Sequence, residues 1–210
     1  TVTKAESKFV ADVKYSLDGE EVEDNEKLKQ RLAFLPDDLY LIQGYTLKDM
    51  AKFYEAMYDK FDMKYVEELA TLLKLDLNTK LDSFSKGMKR QCALICILAT
   101  NADYMFFDET FDGLDPVIRN TMKKIMASLM EEENTTIVMT SHNLRELEDI
   151  CDHVGIMFKG KMIIERRLDD SDCTIENVLK DNAEILSLAK KHNVNYILID
   201  EEYSIDDKIV

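Results

Sequence analysis

The 210-residue sequence has little proline and glycine, with two and six residues respectively, and it shows no internal repeat or low-complexity stretch. A flexible linker usually needs such residues, so the chain is expected to form one large domain or two small ones without an obvious linker. The sequence also lacks an apolar run near the ~20 residues that span a bilayer as a helix, and no signal peptide is recognisable at its start. Any role at a membrane therefore requires a partner chain.

Positive charge is also scarce, because 27 basic residues face 42 acidic ones and the formal net charge is -15. This balance argues against a nucleic-acid-binding surface and favours solubility as the reason for the acidity. The four cysteines form no CxxC pair, and no histidine lies near them at zinc-ligand spacing. Cys92 and Cys96 fall four residues apart in an apolar run, so they are expected to share a helix face and to pack as reduced thiols in a core.

Periodicity and turn residues predict the elements of the chain. The predicted elements are strands over 9–17 (with a turn at 18–19), 31–35 and 195–199, a hairpin of 154–158 with 161–165, and helices over 46–59, 63–73, 87–100 and 175–191. The helix over 87–100 is apolar nearly all round and should be buried.

Between residues 104 and 140 the pattern changes to strand, helix, strand. Two continuous apolar runs, 104–107 and 136–140, flank a helix that begins at Asp115-Pro116, where Asp115 caps the helix and proline occupies its first turn. Continuous apolar strands joined by a helix are typical of a parallel sheet covered on both faces. Active sites in such sheets lie at the carboxyl ends of the strands, and both ends here carry polar side chains.

The first of these strands ends in Asp108-Glu109, a Walker B pattern. A strand-end aspartate can hold Mg²⁺, which neutralises phosphate charge. The adjacent carboxylate can polarise a water for attack on a phosphate. Many buried strands end in an acidic turn, so this pair alone is weak evidence.

Three neighbouring motifs make the Walker B interpretation of Asp108-Glu109 more specific. Phe84-Ser85-Lys86-Gly87-Met88 opens the buried helix, Gly113-Leu114-Asp115 follows Glu109, and Ser141-His142 follows the second strand. In order and spacing they resemble the signature, D-loop and switch histidine of ABC-type ATPases. The resemblance covers residues 18–167 and implies an α/β fold of the P-loop NTPase type, with a parallel sheet, a small α-helical subdomain and an incomplete N-terminal part.

The resemblance implies a role for each matching residue. Asp108 would serve Mg²⁺, Glu109 would be the general base, and His142 would sense the γ-phosphate of ATP. Ser85, Lys86 and Gly87 would bind the γ-phosphate held by the opposite subunit of a dimer, at a helix N-terminus suited to anions. Asp115 would belong to the nucleotide-binding residues and reach across the dimer. For Ser85 and Asp115 the structural alternative is an ordinary helix cap, and for His142 it is a structural histidine.

The segment before the predicted helical subdomain departs from the family. Asp37 occupies the place where a Q-loop glutamine normally helps to ligate Mg²⁺ and couples the site to the transmembrane partner. An aspartate can still ligate Mg²⁺, but its reach and charge differ.

The chain contains no Gly-Lys-Ser or Gly-Lys-Thr, so the Walker A loop that cradles phosphates is absent from these 210 residues. Three interpretations stay open: a fragment of a longer protein, a sequence that lacks residues near the loop and keeps 1–7 as a splice-like remnant, or a natural homologue that only binds partners.

The prediction is therefore an ATP-hydrolysing subunit of an ABC transporter of the bacterial drug- or peptide-exporter type. The 210-residue chain alone is expected to be inactive as an ATPase. The subunit would bind ATP and Mg²⁺, dimerise with a like or unlike ATPase domain, and sit on the cytoplasmic face of the membrane through a permease. The alternative is a non-catalytic binding or regulatory homologue. The predicted segments are 1–45, an ATPase-lobe remnant ending at the Q-loop position; 46–100, a helical subdomain with the signature; 101–170, the ATPase core; and 171–210, an extension of unknown role.

Overall fold

The computed structural model describes residues 16–17, 19–133, 135–141, 147, 150–158, 161–167 and 196–197. In chain order its strands and α-helices are β1 (Ser16–Leu17), β2 (Glu20–Glu21), α1 (Glu26–Lys29), β3 (Leu32–Leu35), α2 (Leu47–Glu55), α3 (Met63–Leu72), α4 (Lys86–Leu98), β4 (Tyr104–Asp108), α5 (Pro116–Glu133), β5 (Thr136–Ser141), β6 (His153–Phe158), β7 (Lys161–Arg167) and β8 (Tyr196–Ile197). A short 3₁₀ turn, Leu81–Ser83, precedes α4. None of the helices in these ranges has the length and apolar character that crossing a bilayer requires.

Six strands form one sheet in the order β3-β4-β5-β8-β6-β7. β3, β4 and β5 are parallel and in register, so the predicted parallel core is confirmed. The other half is antiparallel, because β8 pairs antiparallel with both β5 and β6, and β6 pairs antiparallel with β7. Parallel neighbours need a long crossover, which α2 to α4 and then α5 supply, whereas the two residues between β6 and β7 suit only an antiparallel pair.

Near its two ends, only parts of the chain are described by the structure. β8 confirms a strand within the predicted range 195–199, and its insertion between β5 and β6 is not visible in the sequence. Of the strand predicted over 9–17, only β1 is described, and it pairs with β2 across residues 18–19. The helix predicted over 175–191 lies outside the described residues.

The helices predicted over 46–59, 63–73 and 87–100 are confirmed with small changes at their ends. α2 stops at Glu55 rather than continuing to 59, because the chain after it turns into an aromatic cluster. The ring of Tyr54 stacks on those of Tyr58 and Phe61, with centroids 6.2 and 6.4 Å apart.

α4 is buried on nearly all sides, as its apolar sequence predicts. It lies among β3, α2 and α3, and every residue from Arg90 to Leu98 is buried. Cys92 and Cys96 are free thiols within this core. Burial raises the pKa of Cys92 to about 12 and also raises the pKa of Cys96, as expected for thiols that pack and do not react.

The two faces of the parallel strands differ in exposure among the described residues. Ala33, Leu35, Met105 and Phe107 are buried on one face. On the opposite face Phe34 is 59% exposed, and its in-register neighbour Phe106 is 37% exposed. Both crossovers advance across the sheet in the same direction, so right-handed connections put their helices on the same face.

Candidate active site

The carboxyl ends of β4 and β5 bring Asp108 and Thr140 side by side. The Thr140 hydroxyl donates a hydrogen bond to Asp108 Oδ1. The same Thr140 oxygen accepts from the backbone N–H of Glu109 at 3.2 Å. The Thr140 hydroxyl therefore orients the Asp108 carboxylate and also anchors the backbone of Glu109.

Glu109 has a left-handed backbone, with φ of 48°. A non-glycine residue in such a conformation costs on the order of 1–3 kcal/mol and persists only when its surroundings hold it. Here the Thr140 hydroxyl accepts from the N–H of Glu109. The carbonyl oxygen of Glu109 accepts from the N–H of Asp112 at 3.2 Å and from Arg90 at 3.3 Å. The turn directs the chain away from the sheet directly after Asp108.

The loop after Glu109 is anchored by buried residues. Thr110 and Phe111 are buried, and Gly113 takes a left-handed φ of 75°. Asp115 Oδ1 accepts from the N–H groups of Val117 and Ile118 at 3.0 and 3.1 Å, so the predicted cap of α5 is confirmed. This contact fixes where the loop ends and the helix begins.

The N-terminus of α4 lies directly against this loop. Ser85 caps α4, with its hydroxyl oxygen accepting from the N–H of Met88 at 3.2 Å. Lys86 Nζ forms an ion pair with Asp112 at 2.9 Å. A Cβ added to Gly87 would lie 2.8 Å from the carbonyl oxygen of Gly113, so only glycine permits this approach of helix and loop.

The Asp37 carboxylate forms an ion pair with the buried side chain of Arg90. Its Oδ1 lies 2.7 Å from Arg90 NH2, and Arg90 NH1 donates to the carbonyl of Pro36 at 3.0 Å. The Arg90 side chain is 1% exposed, so Asp37 compensates a charge that is otherwise expensive to bury. The role of Asp37 as an Mg²⁺ ligand stays a prediction.

The arrangement suits phosphate chemistry. Asp108 and Thr140 offer hard oxygen ligands at the strand ends, and Mg²⁺ commonly binds through one or two carboxylates plus substrate phosphates. No group of three metal-binding side chains converges among the described residues, which is compatible with a metal that takes its other ligands from phosphate and water. The N-terminus of α4, where the first N–H groups have no acceptor within the helix, is a suitable anion site.

Most of the residues predicted from the sequence come together. Asp108, Glu109 and Asp115 lie along one strand-and-loop segment, Lys86 and Gly87 contact that segment, and Ser85 caps the helix that carries them. His142 lies outside the described residues, and its predicted role stays a prediction. Two positioning residues were missed: Thr140, which could have been found as the last β-branched polar residue of its strand, and Arg90, whose charge within an apolar helix was the available signal.

Solved structures with the same fold are ATP-binding cassettes. A structure titled as the ATP binding subunit of an ABC transporter superposes with a TM-score of 0.67 at 23% identity, covering 80% of this chain and 75% of that one. The dimeric cassette MJ0796 bound to ADP and Pi superposes with a TM-score of 0.63 at 19% identity, covering 72% of both chains. These superpositions show that the chain has the fold of those ATP-binding domains.

The chain belongs to the family described as "AAA domain, putative AbiEii toxin, Type IV TA system", whose model matches residues 16–148. It is similar to the ABC transporter ATP-binding protein YtrB of Bacillus subtilis, with 29% identity over 73% of this chain and 52% of that protein. It is also similar to the bacitracin transport ATP-binding protein BcrA of Bacillus licheniformis, with 30% identity over 68% of this chain and 45% of that protein. The matches span about half the length of these relatives.

Proposed function

We propose that this chain is part of an ATP-hydrolysing subunit of an ABC transporter that powers export through a partner permease. The observation that supports this most is the contact between the N-terminus of α4 and the loop that follows Glu109, through Gly87 and Gly113. The carboxylates proposed to be catalytic and the helix end proposed to bind an anion would then belong to one connected unit. The names of relatives from Bacillus species, bacitracin transport and linearmycin resistance, are consistent with export.

The carboxylates have distinct roles in this proposal. Asp108, oriented by Thr140, would hold Mg²⁺, which when bound neutralises charge on the phosphates of ATP. Glu109 would accept a proton from the attacking water. His142 would contact the γ-phosphate.

Ser85, Lys86 and Gly87 would serve the ATP of a second ATPase domain. Lys86 is paired with Asp112, but both side chains are largely exposed, so the pair is weak and can exchange for a phosphate. Asp115, at the end of the adjoining loop, would reach across the same dimer interface while still capping α5.

The permease would dock beside Asp37. A cavity of about 180 Å³ lies there, lined by apolar residues of the segment after β3 and by Met50, Phe53 and Tyr54 of α2. Tyr40 on its rim is 87% exposed and Phe53 is 43% exposed, so an apolar segment of a partner can bury both rings. Such docking would hold residues 46–100, the proposed helical subdomain, at the cytoplasmic face of the membrane.

The phosphate loop would come from residues outside these 210, and the chain alone would not bind ATP tightly. The exposed face around Phe34 and Phe106 supports this view, because parallel strands are normally covered on both sides. A covering segment would complete the domain.

The test compares ATP binding and hydrolysis by this chain with those of a longer form that includes a Walker A loop. Turnover only in the longer form, reduced by about 10² or more in Glu109→Gln and retained in Glu131→Gln, is the expected result. Glu131 is an exposed carboxylate of α5 away from the strand end and serves as the matched control. Absence of turnover in both forms would overturn the ATPase assignment.

A second candidate is a non-catalytic homologue that binds partners through the same fold. The observation in its favour is the absence of Gly-Lys-Ser and Gly-Lys-Thr from the sequence. ATP-independent binding of the chain to a permease, without turnover in any longer form, would support it.

A further inference from the structure

We infer that Arg90 is a positioning residue that couples the segment carrying Asp37 to the backbone of Glu109. The inference rests on the proposed function only in naming Glu109 as the base and the Asp37 segment as the permease side. The contacts themselves join three separate parts of the chain: α4, the segment after β3 and the loop after β4.

One nitrogen of the Arg90 guanidinium, NH2, contacts both segments. Its NH2 nitrogen lies 2.7 Å from Asp37 Oδ1 and 3.3 Å from the carbonyl oxygen of Glu109, while NH1 lies 3.0 Å from the carbonyl oxygen of Pro36. A displacement of Asp37 that pulls on NH2 therefore changes the contact with Glu109. The planar fork makes both contacts possible at once, and a lysine ammonium could not reproduce all three.

Burial makes this coupling strong. Arg90 is 1% exposed, and Asp37 is its only recorded carboxylate partner among the described residues, whereas Asp37 itself is 51% exposed. Its Nε has no hydrogen-bond partner in the described part of the structure, so the bonds to the two loops determine where the guanidinium sits. A buried charge cannot simply leave one partner, because the loss is not replaced by water.

Glu109 is the residue most sensitive to such a change. Its left-handed backbone is held at the N–H by Thr140, and its carbonyl accepts from both the N–H of Asp112 and Arg90. Losing the contact with Arg90 removes one of the restraints on a strained conformation, so the direction of the carboxylate becomes less defined. A partner that moves Asp37 would thereby tighten or loosen Glu109.

Hydrogen exchange measured by mass spectrometry on the 210-residue chain tests this without ATP or turnover. The variants are Arg90→Met, Arg90→Lys, Asp37→Asn and the double variant Arg90→Met/Asp37→Asn. Arg31→Met is the matched control, since Arg31 pairs with Asp103 at the opposite, amino end of the same strands.

We expect Asp37→Asn to speed exchange over 108–114 by about tenfold, although Asp37 belongs to another segment. Arg90→Met should speed exchange over both 36–44 and 108–114, Arg90→Lys should have a smaller effect, and Arg31→Met should leave both segments unchanged. Adding Asp37→Asn to Arg90→Met should produce no further change over 108–114, since the connection is already lost.

Two results would overturn the inference. One is exchange over 108–114 that Asp37→Asn leaves unchanged. The other is a uniform rise in exchange across α3 and α4 in both Arg90 variants, which would show a general packing role. Failure of the proposed ATPase function would affect neither readout.

Discussion

Thr140 shows how one side chain can define the geometry of two others. Its hydroxyl donates to Asp108 and accepts from the N–H of Glu109, so both residues depend on a neighbouring strand. The sequence predicts the Asp108-Glu109 pair because the apolar run before it is local. The partnership with Thr140 was not predicted, because it depends on the register between β4 and β5.

Replacing Thr140 with valine tests this role. Thr140→Val keeps the shape but removes the hydroxyl, so a partly buried N–H and a carboxylate oxygen lose their partner at a cost of about 1–3 kcal/mol. In the longer form required by the proposed function we expect kcat to fall by about tenfold or more, because the two carboxylates proposed to be catalytic lose their alignment.

Urea unfolding of the 210-residue chain and steady-state ATP hydrolysis by the longer form measure the two effects. Thr140→Ser is the control, since it retains the hydroxyl and should keep most of both stability and activity. Equal behaviour of the valine and serine variants would contradict the assigned role.

At the scale of elements, β4 carries two adjacent phenylalanines with opposite environments. Phe107 is 1% exposed in the core, while Phe106 points to the open face of the sheet. The period of two residues along a strand explains the alternation, and only the neighbouring layers decide which face is covered.

The pair provides a matched comparison of stability. Phe107→Ala should lower the free energy of unfolding by about 3–5 kcal/mol, because it leaves a cavity in the core. Phe106→Ala should cost about 1 kcal/mol or less in the 210-residue chain, since its ring is already partly in water. Urea denaturation measures both, and similar losses would show that the open face is in fact covered.

Helix α2 provides a pH-dependent prediction. The Asp49 carboxylate accepts from the backbone N–H and the hydroxyl of Thr46, and these hydrogen bonds, the backbone one first, lower the pKa of Asp49 below its ordinary value of 3.8. Because the folded pKa is the lower one, the stabilisation is present above the unfolded pKa and is lost as pH falls through the folded value.

An NMR titration of side-chain carboxyl carbons should therefore find Asp49 below 3.8. Thr46→Ala should raise the pKa of Asp49 towards that value, since the hydroxyl contact is lost. Thr71→Ala, which removes a hydroxyl bonded within α3, should leave the pKa of Asp49 unchanged. An Asp49 pKa above 3.8 in the original chain would contradict the capping arrangement.

At the scale of the whole molecule, the proposed dimer separates residues that act on their own ATP from residues that act on the partner's. Glu109 would serve its own subunit, whereas Ser85 would serve the other. Ser85→Asp distinguishes capping from phosphate binding, because aspartate is a good N-cap but repels a phosphate.

Mixing two inactive variants of the longer form tests this division. In a mixed dimer, one subunit carries Ser85→Asp and the other carries Glu109→Gln. One of its two sites then keeps both original groups, and the other site loses both. Since half of randomly paired dimers are mixed, the mixture should recover about a quarter of the original turnover. The separate variants are the controls, and a mixture as inactive as both would mean that Ser85 and Glu109 act on the same ATP.

The sequence by itself determined the features that depend on neighbouring residues. Apolar runs and their end residues located β4 and β5, Asp115-Pro116 located the start of α5, and the motifs at 84–88 and 108–115 indicated the ABC class. These signals are local, because periodicity, caps and short motifs act within a few residues along the chain.

Only the tertiary structure decided how distant segments meet. The antiparallel insertion of β8, the open face around Phe34, the contact of Gly87 with Gly113 and the binding of Arg90 to both Asp37 and Glu109 all join residues far apart in sequence. Such contacts depend on strand register, the order of the sheet and the covering layers, and a sequence pattern specifies none of these directly.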